Sequence, residues 1–401
     1  MDFSLTREQR DIKLAAREFA SGELTAERAM EHELEHRFPR ELYRKAAELG
    51  FVGLDLPEAV GGGGMGVTEN VLVIEELCKA DSGIGMAIHL AFLPAKFVKI
   101  FGTPAQQEKY LAPLTRGDAI AAVSFTEPDR GSDLLRMSTT VEQRGDRFLL
   151  NGTKIFTTNG AYATFFVVLA QDDPGAKPGR GMSTILVDAD PASWLGGSLE
   201  INDIPHKMGL RMTSSSELVF RDLEVPAENL LGVRGEGLNN VLGFLDESRI
   251  EVAAQALGNA EGAFLKALDH ARKRTQFDKP IIDFQGVGHR VARMWSEIQS
   301  IKWLTYYAAW LCDQRSKKMA ATVPLFTSVV KHHVPETAKH VIDEAISVFG
   351  GYGYFLEQEV ERRYRDTRII EIYEGTVEVQ LNNIVRVLKT LNPDFIDASL
   401  C

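Results

Sequence analysis

The 401-residue chain carries a formal net charge of −11, with 44% hydrophobic and 25% charged residues. This composition is ordinary for a globular protein, and the acidic balance argues against a nucleic-acid partner, which requires a basic face. Three scattered cysteines exclude a disulfide framework and fit a reducing compartment. The charged, amphipathic N-terminal segment lacks the features of a signal peptide. We therefore expect a cytoplasmic protein, or a mitochondrial matrix protein if the chain is a processed eukaryotic one.

The apolar pattern divides the chain into helical, β and helical regions, which we place at 1–121, 122–232 and 233–401. In the first region apolar residues recur at helical spacing, as at Leu42, Ala46 and Leu49. A glycine-rich loop, "PEAVGGGGMG", separates two of its helices. Consecutive apolar runs stay well short of the roughly 18 residues typical of a membrane span, so we predict none.

The second region has the short apolar runs of β-strands, separated by turn residues. These runs include "DRFLLNGTKIFTTNG", "TFFVVLA", "STILVD" and "SSELVFRDLEV". The third region returns to long helical segments near 237–273, 286–313, 322–350 and 377–390. The predicted fold class is therefore α+β and multi-domain, with an N-terminal helical domain, a central β-barrel or sandwich, and a C-terminal four-helix bundle.

Several common functional sites find no support in the sequence. His332 and His333 are adjacent, so on a helix their side chains diverge by about 100°, and no further ligand follows at metal-site spacing. We therefore predict no metal site. The segment "GVRGEG" lacks the glycine spacing and the βαβ context of a Rossmann loop.

Three polar stretches could form either surface turns or ligand-binding loops. "VSFTEPDRGSD" at 123–133 follows the first helical region, and the backbone N–H groups of such a loop can cradle an anion. "KIFTTNG" at 154–160 ends a predicted strand, and "RKRTQFDKP" at 272–280 places three cations beside an aromatic residue. Taken singly, each stretch is more simply a turn or a solvated charged face.

Glu374 occupies an unusual position between the apolar run "RIIEIY" and a predicted helix. Thr376 can cap that helix, and Glu378 in its first turn suits the helix dipole. Neither role explains Glu374, which precedes the helix. It is either a solvated turn carboxylate or a base directed into a pocket.

Taken together, the motifs resemble those of the acyl-CoA dehydrogenase family over nearly the whole chain. "FTEPDRGSD", "NGTKIFTTNG", "RTQFDKPIIDFQ", "GGYGY" and "IYEGTVEVQ" occur in the family's order and spacing. The resemblance implies that Glu374 is the base that removes the α-proton of an acyl-CoA thioester, while the β-hydrogen leaves as hydride to FAD. It further implies contacts to the substrate from Ser132, Asp246, Arg249 and Gly375.

The resemblance also assigns residues to FAD binding. Residues of the β-region would contact the flavin ring and phosphates: Val123, Ser124, Phe125, Thr126, Ser132, Phe156, Thr157 and Thr158. Residues of the C-terminal region would reach the adenine end of a neighbouring subunit's FAD or other parts of the dinucleotide: Arg274, Gln276, Phe277, Gln285, Ser347, Gly350, Gly351, Thr376 and Glu378.

The sequence departs from the family pattern at five of its positions. Arg130 replaces a small residue, and we expect it to face solvent rather than a CoA phosphate. Phe156 replaces a common tryptophan, Ser347 a frequent glutamine, and Glu378 an amide. Some members carry their base at the position of Ser248, and a serine cannot serve there.

The implied activity is FAD-dependent formation of a 2,3-enoyl-CoA by an acyl-CoA dehydrogenase. Electron-transferring flavoprotein is the expected acceptor and a homotetramer the expected assembly. The alternatives are an acyl-CoA oxidase of the same fold and a non-catalytic member that serves as a binding subunit. The resemblance implies that the acyl pocket is bounded by the helix near 81–98, where members that take a second carboxylate place an arginine. No arginine occurs between Arg44 and Arg116, so we predict an uncharged acyl group. Aromatic residues near the expected pocket favour a short, branched or cyclic chain.

Overall fold

The computed structural model describes residues 4–189, 197–314 and 322–389. Its N-terminal region is helical, as predicted. The helices begin at capping residues that the sequence provides: Thr6 and Gln9 form a capping box, and so do Thr103 and Gln106. The helices are α1 (Arg7–Glu23), α2 (Ala26–Glu35), α3 (Arg40–Glu48), α4 (Val67–Ala80), α5 (Ser82–Phe92), α6 (Ala95–Phe101) and α7 (Pro104–Thr115).

Helices α5 and α6 form the most apolar part of the chain. Within the described residues, Ser82–Phe101 is long and apolar enough to cross a membrane by length and composition, and 83% of an 18-residue apolar window in it is buried. Such burial is typical of a core segment, in which neighbouring helices cover the apolar surface. The expectation that no segment spans a membrane stays a prediction.

The central region forms one mixed sheet in the order β6-β7-β3-β2-β4-β5-β8, with β1 parallel to β4. On β4, Phe165, Val167 and Leu169 face the large helical core, whereas Phe166 and Val168 face the core of the β-region itself. Burial of both faces explains the continuous apolar run that predicted this strand. The strands are β1 (Ala121–Ser124), β2 (Thr140–Arg144), β3 (Arg147–Thr158), β4 (Phe165–Gln171), β5 (Met182–Asp188), β6 (Leu199–Asp203), β7 (Ser215–Pro226) and β8 (Leu230–Leu231).

The C-terminal region returns to helices, and its four long predicted segments are confirmed within a residue or two at each end. The longest is α8 (Gly237–Lys273), which crosses the molecule and packs against α4, α9 and α10. A short hairpin, β9 (Thr275–Gln276) and β10 (Lys279–Pro280), leads from it into α9 (Gln285–Asp313). The remaining helices are α10 (Val323–Phe349), α11 (Val360–Thr367) and α12 (Val377–Leu388). The division at 1–121, 122–232 and 233–401 stays a prediction.

Candidate active site

The chain turns sharply between a short 3-10 helix, Arg368–Glu371, and α12. Glu374 has φ 59° and Gly375 has φ 90°, so two successive residues adopt the left-handed conformation. A glutamate there is strained by about 1 kcal/mol or more and persists only where its surroundings fix it. Gly375 cannot be replaced easily, since residues with a Cβ rarely adopt its φ of 90°, and an added Cβ would also lie 2.6 Å from Gln380 Nε2. We define residues 370–375 as the base turn.

Two successive residues of α8 hold Glu374. Ser248, which is fully buried, donates from Oγ to Glu374 Oε2 over 2.6 Å. Arg249 donates from Nε to the main-chain oxygen of Glu374 over 2.9 Å. Helix α8 therefore fixes both the carboxylate and the backbone of this residue.

Two more side chains hold the carbonyl groups of the base turn. Lys331 on α10 donates from Nζ to the oxygen of Ile370 over 2.5 Å and to that of Gly375 over 3.3 Å. Gln380, on the first turns of α12, donates from Nε2 to the oxygen of Gly375 over 2.9 Å. Three helices thus converge on one strained turn, and its conformation is over-determined.

The electrostatics of the base turn suit a proton acceptor. Burial raises the pKa of the Glu374 carboxyl, while the hydrogen bond from Ser248 and the positive charges of Arg249 and Lys331 oppose that rise. Burial lowers the pKa of Arg249 and brings that of Lys331 to about 7. A carboxylate whose pKa is moved toward neutral pH is a better general base than one at its ordinary value.

A second strained residue lies at the end of β3. Phe156 has φ 58° and its ring is 64% exposed, at a point where the pairing of β3 with β7 is irregular. An aromatic ring held outward by a left-handed backbone indicates a surface for a ligand rather than a core position. Thr157, by contrast, turns inward and its Oγ1 lies 2.7 Å from Ser124 Oγ, so these two hydroxyls are bonded to each other.

A buried ion pair fixes the loop after β1 against β3. Lys154 donates to Glu127 Oε1 over 2.9 Å and to the oxygen of Phe125 over 3.0 Å. Burial brings the pKa of Lys154 to about 8, whereas the pKa of Glu127 lies at about 2, because the attraction of Lys154 and two backbone N–H groups outweigh burial. The main-chain oxygen of Thr126 also accepts from Ile155 N over 2.9 Å. The loop is thereby held beside Phe156.

An aromatic cluster joins this loop to α8. Phe125 packs edge-on against Phe97 at 5.5 Å between ring centroids, and Phe97 stacks on Phe244 at 4.3 Å. Phe244 lies one turn before Ser248 on α8. The β-region loop and the helix that holds Glu374 therefore share one apolar cluster.

A cavity of 740 Å³ lies between the end of α8, the β9–β10 hairpin and the segment after α10. It brings together three of the predicted dinucleotide contacts, Arg274, Gln276 and Gly351, along with Tyr352, over whose ring Arg274 lies at 5.9 Å. Phe277 is at the tip of the hairpin, with φ 50° and 88% exposure. An aromatic residue presented in this way is available to a neighbouring molecule.

The remaining predicted site residues are distributed around these clusters. Ser132, Gln285, Ser347, Gly350 and Glu378 are exposed, and Val123, Thr158 and Asp246 are partly buried. Thr376 caps α12 as predicted, accepting from Val379 N over 3.4 Å. Arg130 donates to the main-chain oxygen of Arg136 over 3.2 Å.

Sequence analysis did not predict that Ser248, Lys331 and Gln380 hold the base turn. It also missed a buried polar chain in which Tyr373 donates to Gln255, whose amide lies 2.7 Å from His89 Nδ1. The signal that could have found Lys331 is its place in an otherwise apolar helical stripe, where a lysine needs a partner.

These residues fit a dinucleotide cofactor on three structural grounds. A strained, exposed ring lies beside a loop whose Gly131 has open space around it. Gly350 and Gly351 likewise have no atom within 4 Å of where a Cβ would stand, so a ligand could approach the backbone closely. Arg274 supplies a cation at the cavity, as a phosphate requires. Among the described residues, no group of three or more His, Cys, Asp or Glu side chains could hold a metal ion.

Comparison with known protein families covers nearly the whole chain. Models of the N-terminal, middle and C-terminal domains of acyl-CoA dehydrogenases match residues 6–118, 122–223 and 235–389. The short-chain specific acyl-CoA dehydrogenase of Clostridium acetobutylicum is 38% identical over 95% of this chain and 97% of its own length. The acryloyl-CoA reductase (NADH) of Anaerotignum propionicum is 38% identical over 96% of this chain and 95% of its own.

Solved structures of the same architecture align closely. Butyryl-CoA dehydrogenase from Megasphaera elsdenii has a TM-score of 0.89 at 34% identity, covering 97% of this chain and 100% of that one. A chain in the structure described as the electron transferring flavoprotein of Acidaminococcus fermentans has a TM-score of 0.90 at 37% identity, covering 97% and 99%. The FAD complex of PigA has a TM-score of 0.90 at 28% identity, with the same coverage.

Proposed function

Because the chain belongs to the acyl-CoA dehydrogenase family, we propose that it oxidises an acyl-CoA thioester to the 2,3-enoyl-CoA, with FAD as cofactor. The observation that carries this proposal is the strained base turn. The Glu374 carboxylate has a raised pKa and is held by Ser248, while Arg249 holds the backbone of the same residue; these are the properties that proton removal beside a thioester requires. A non-catalytic binding subunit would have no use for that strain.

Each protein group has a defined task in the proposed reaction. Glu374 accepts the α-proton on its carboxylate as the electron pair of that C–H bond forms the new C=C bond. Ser248 holds the carboxylate and Arg249 holds the backbone of Glu374, so little reorganisation accompanies proton transfer. When bound, FAD supplies the acceptor for the hydride that leaves the β-carbon. The Gly375 segment would contact the thioester, with Ser132 and Asp246 farther along the substrate.

The residues proposed to hold FAD divide between two surfaces. Phe156 and the loop after β1 would contact the flavin, and the cavity at Arg274 would take the adenine end from a neighbouring subunit. The full proposed set is Val123, Ser124, Phe125, Thr126, Ser132, Phe156, Thr157, Thr158, Arg274, Gln276, Phe277, Gln285, Ser347, Gly350, Gly351, Thr376 and Glu378. Thr157 and Ser124 would act through their backbone atoms, since their hydroxyls bond to each other.

The proposed substrate is an uncharged acyl group that is short, branched or cyclic. The phenylalanine cluster at Phe97, Phe125 and Phe244 fills space near the base, which leaves less room for a long chain. The nearby cations cannot serve a second substrate carboxylate, because Lys96 and Lys99 both pair with Asp55 and Glu247. The names of the short-chain and butyryl-CoA relatives support this proposal.

Anaerobic bleaching of the bound flavin by a panel of acyl-CoAs tests the function. We expect butyryl-CoA or a branched or cyclic acyl-CoA to give the highest ratio of reduction rate to binding constant. A preference for a dicarboxylic acyl-CoA, or for chains of about sixteen carbons, would contradict the substrate proposal. A correctly folded protein that binds no FAD would instead support a binding subunit, and rapid reoxidation by oxygen would support an oxidase.

We further propose electron-transferring flavoprotein as acceptor and a homotetramer as the assembly. The structural match to a chain described with such a flavoprotein supports the first. Exposed aromatic residues on the C-terminal helices, including Trp295, Trp303 and Trp310 on α9, support the second. The relatives named above are bacterial, which favours the cytoplasm over the mitochondrial matrix.

Arg274→Ala should weaken both FAD retention and assembly, since binding and oligomerisation are linked when one subunit completes another's site. Loss of one charge-assisted hydrogen bond costs about 1.5–3 kcal/mol, which corresponds to roughly tenfold to a hundredfold weaker FAD binding. Lys273→Ala is the control, because Lys273 is exposed and pairs with Asp269. Gel filtration and flavin absorbance give the two measurements. A variant monomer with full FAD occupancy would contradict the proposal.

A further inference from the structure

Lys331 occupies a position that a lysine rarely takes. It lies in α10 with no exposed surface, and the partners that the structure gives its ammonium are the main-chain oxygens of Ile370 and Gly375. Those two residues are the first and last of the base turn. The ring of Tyr373, inside the turn, lies 6.0 Å from the same nitrogen. One side chain therefore spans the whole turn that carries Glu374.

Burial of this amine is costly for the fold. The effective penalty for taking a charged group out of water is several kcal/mol unless hydrogen bonds and opposite charge offset it. A methionine would occupy a similar volume without that cost. The hydrogen bonds that this buried amine makes all go to the base turn, in which Glu374 and Gly375 both adopt left-handed backbone conformations.

We propose that Lys331 is a positioning residue for catalysis, which holds the base turn so that Glu374 is presented to the substrate and stabilises its ionised carboxylate. The inference rests on the proposed function, since it assigns a role within the same site. Lys331 touches neither the carboxylate nor, by this assignment, the substrate. It acts through the carbonyls at the ends of the turn and through its charge.

The charges around Lys331 define how its influence depends on pH. Burial brings the pKa of Lys331 to about 7, while Glu374 and Glu371, both in the base turn, attract its ammonium and Arg249 on α8 repels it. In turn, the Lys331 charge lowers the pKa of Glu374. The ammonium is present below pH about 7 and is lost above it, so its charge assists ionisation of Glu374 only below that pH.

Lys331→Met removes both the hydrogen bonds and the charge. The pKa of Glu374 should then rise, so the acid limb of kcat/KM should move to higher pH. A turn displaced by about 1 Å should also slow flavin reduction by roughly a hundredfold. Lys331→Arg keeps a permanent charge and should retain the acid limb near its original pH. Lys339→Met is the matched control, since Lys339 lies on the same helix and pairs with Glu371 over 2.6 Å without bonding to the turn ends.

Hydrogen exchange of the FAD-loaded protein supplies a readout that needs no turnover. Peptides covering 369–381 should exchange faster in Lys331→Met than in the wild type or in Lys339→Met, while peptides of β3 should not change. Lys331→Gln, which keeps an amide NH₂ donor group but no charge, replaces the methionine variant if that one does not fold, and it should shift the acid limb while protecting the turn.

Two results would overturn the assignment of Lys331. One is unchanged exchange in the base turn together with an unmoved acid limb. The other is a uniform loss of rate at every pH with normal exchange, which would mark Lys331 as a packing residue only. If no acyl-CoA bleaches the wild-type flavin, the proposed function fails, and the exchange comparison still decides whether Lys331 holds the turn.

Discussion

Glu374→Gln should leave a yellow, folded protein that binds acyl-CoA but no longer reduces its flavin at a useful rate. The amide has the shape of the carboxylic acid and can still accept from Ser248, so the base turn should keep its conformation. It cannot accept the α-proton, and removing a general base typically costs about 10²–10⁴-fold in rate. Stopped-flow measurement of anaerobic flavin bleaching gives the rate, and the charge-transfer absorbance with a bound acyl-CoA analogue gives binding.

Glu371→Gln is the matched control for that experiment. Glu371 is also a buried acid of the base turn, but its carboxylate pairs with Lys339 and Arg368 rather than facing Ser248. The Glu371→Gln protein should reduce its flavin at a rate within about tenfold of the wild-type rate. A Glu374→Gln protein that is bleached as fast as the wild type would show that the base lies elsewhere. Ser248 cannot replace it, and Glu247 next to it is paired with Lys96 and Lys99.

The fold was largely predictable because most elements bury one regular apolar face. The long C-terminal helices and the two-faced strand β4 follow directly from that pattern. Helix α11, "VERRYRDT", was missed because its buried surface is polar. Arg362 and Arg363 are fully buried there, where Arg362 pairs with Asp81 and Arg363 donates to the carbonyls at the end of α4. Pattern analysis interprets such charges as exposed, and only tertiary contacts reverse that interpretation.

The candidate site, like the fold, was predictable from the sequence only in part. Glu374 and Phe156 were predicted from the family resemblance, and their positive φ values are an independent observation of backbone strain at both positions. The groups that hold the base turn are distant in sequence. Ser248 lies 126 residues from Glu374, and Lys331 lies 44 residues from Gly375. Contacts between residues so far apart in sequence cannot be predicted from the spacing of neighbouring residues. Contacts of this kind need the packing of α8 and α10 to be known first.

Lys96 shows how far a charge can differ from its appearance in sequence. Lysines usually lie at the surface, whereas Lys96 is fully buried within the apolar segment of α5 and α6. Its ammonium pairs with Asp55 and, over 2.9 Å, with Glu251. Glu251 also lies 3.1 Å from His89. One cation therefore compensates acids from the N-terminal loop and from α8, at the junction of two helical regions.

Lys96→Met should be the most destabilising single substitution among those considered. Removing one partner of a buried ion pair leaves uncompensated charge and typically costs about 3–5 kcal/mol, much more than loss of an exposed pair. Lys99→Met is the control, because Lys99 pairs with Asp55 and Glu247 from a partly exposed position and should cost about 1 kcal/mol. Thermal melting and the urea midpoint of the FAD-loaded protein give the comparison, and equal losses in both variants would contradict the role assigned to Lys96.

The pH dependence of the stability lost in Lys96→Met tests whether lost charge compensation causes it. In the wild type the lysines hold the pKa of Asp55 and that of Glu247 below their ordinary values, so the stability they contribute is present at neutral pH and is lost as the pH falls through those lowered pKa values. Without Lys96 these carboxyls are buried with less compensating charge, and their pKa values should rise. Protonation of these carboxyls would then reduce the loss of stability in Lys96→Met as the pH falls from neutral toward mildly acidic values. The difference in melting temperature between wild type and Lys96→Met should therefore shrink with falling pH, whereas a packing defect alone would leave it constant.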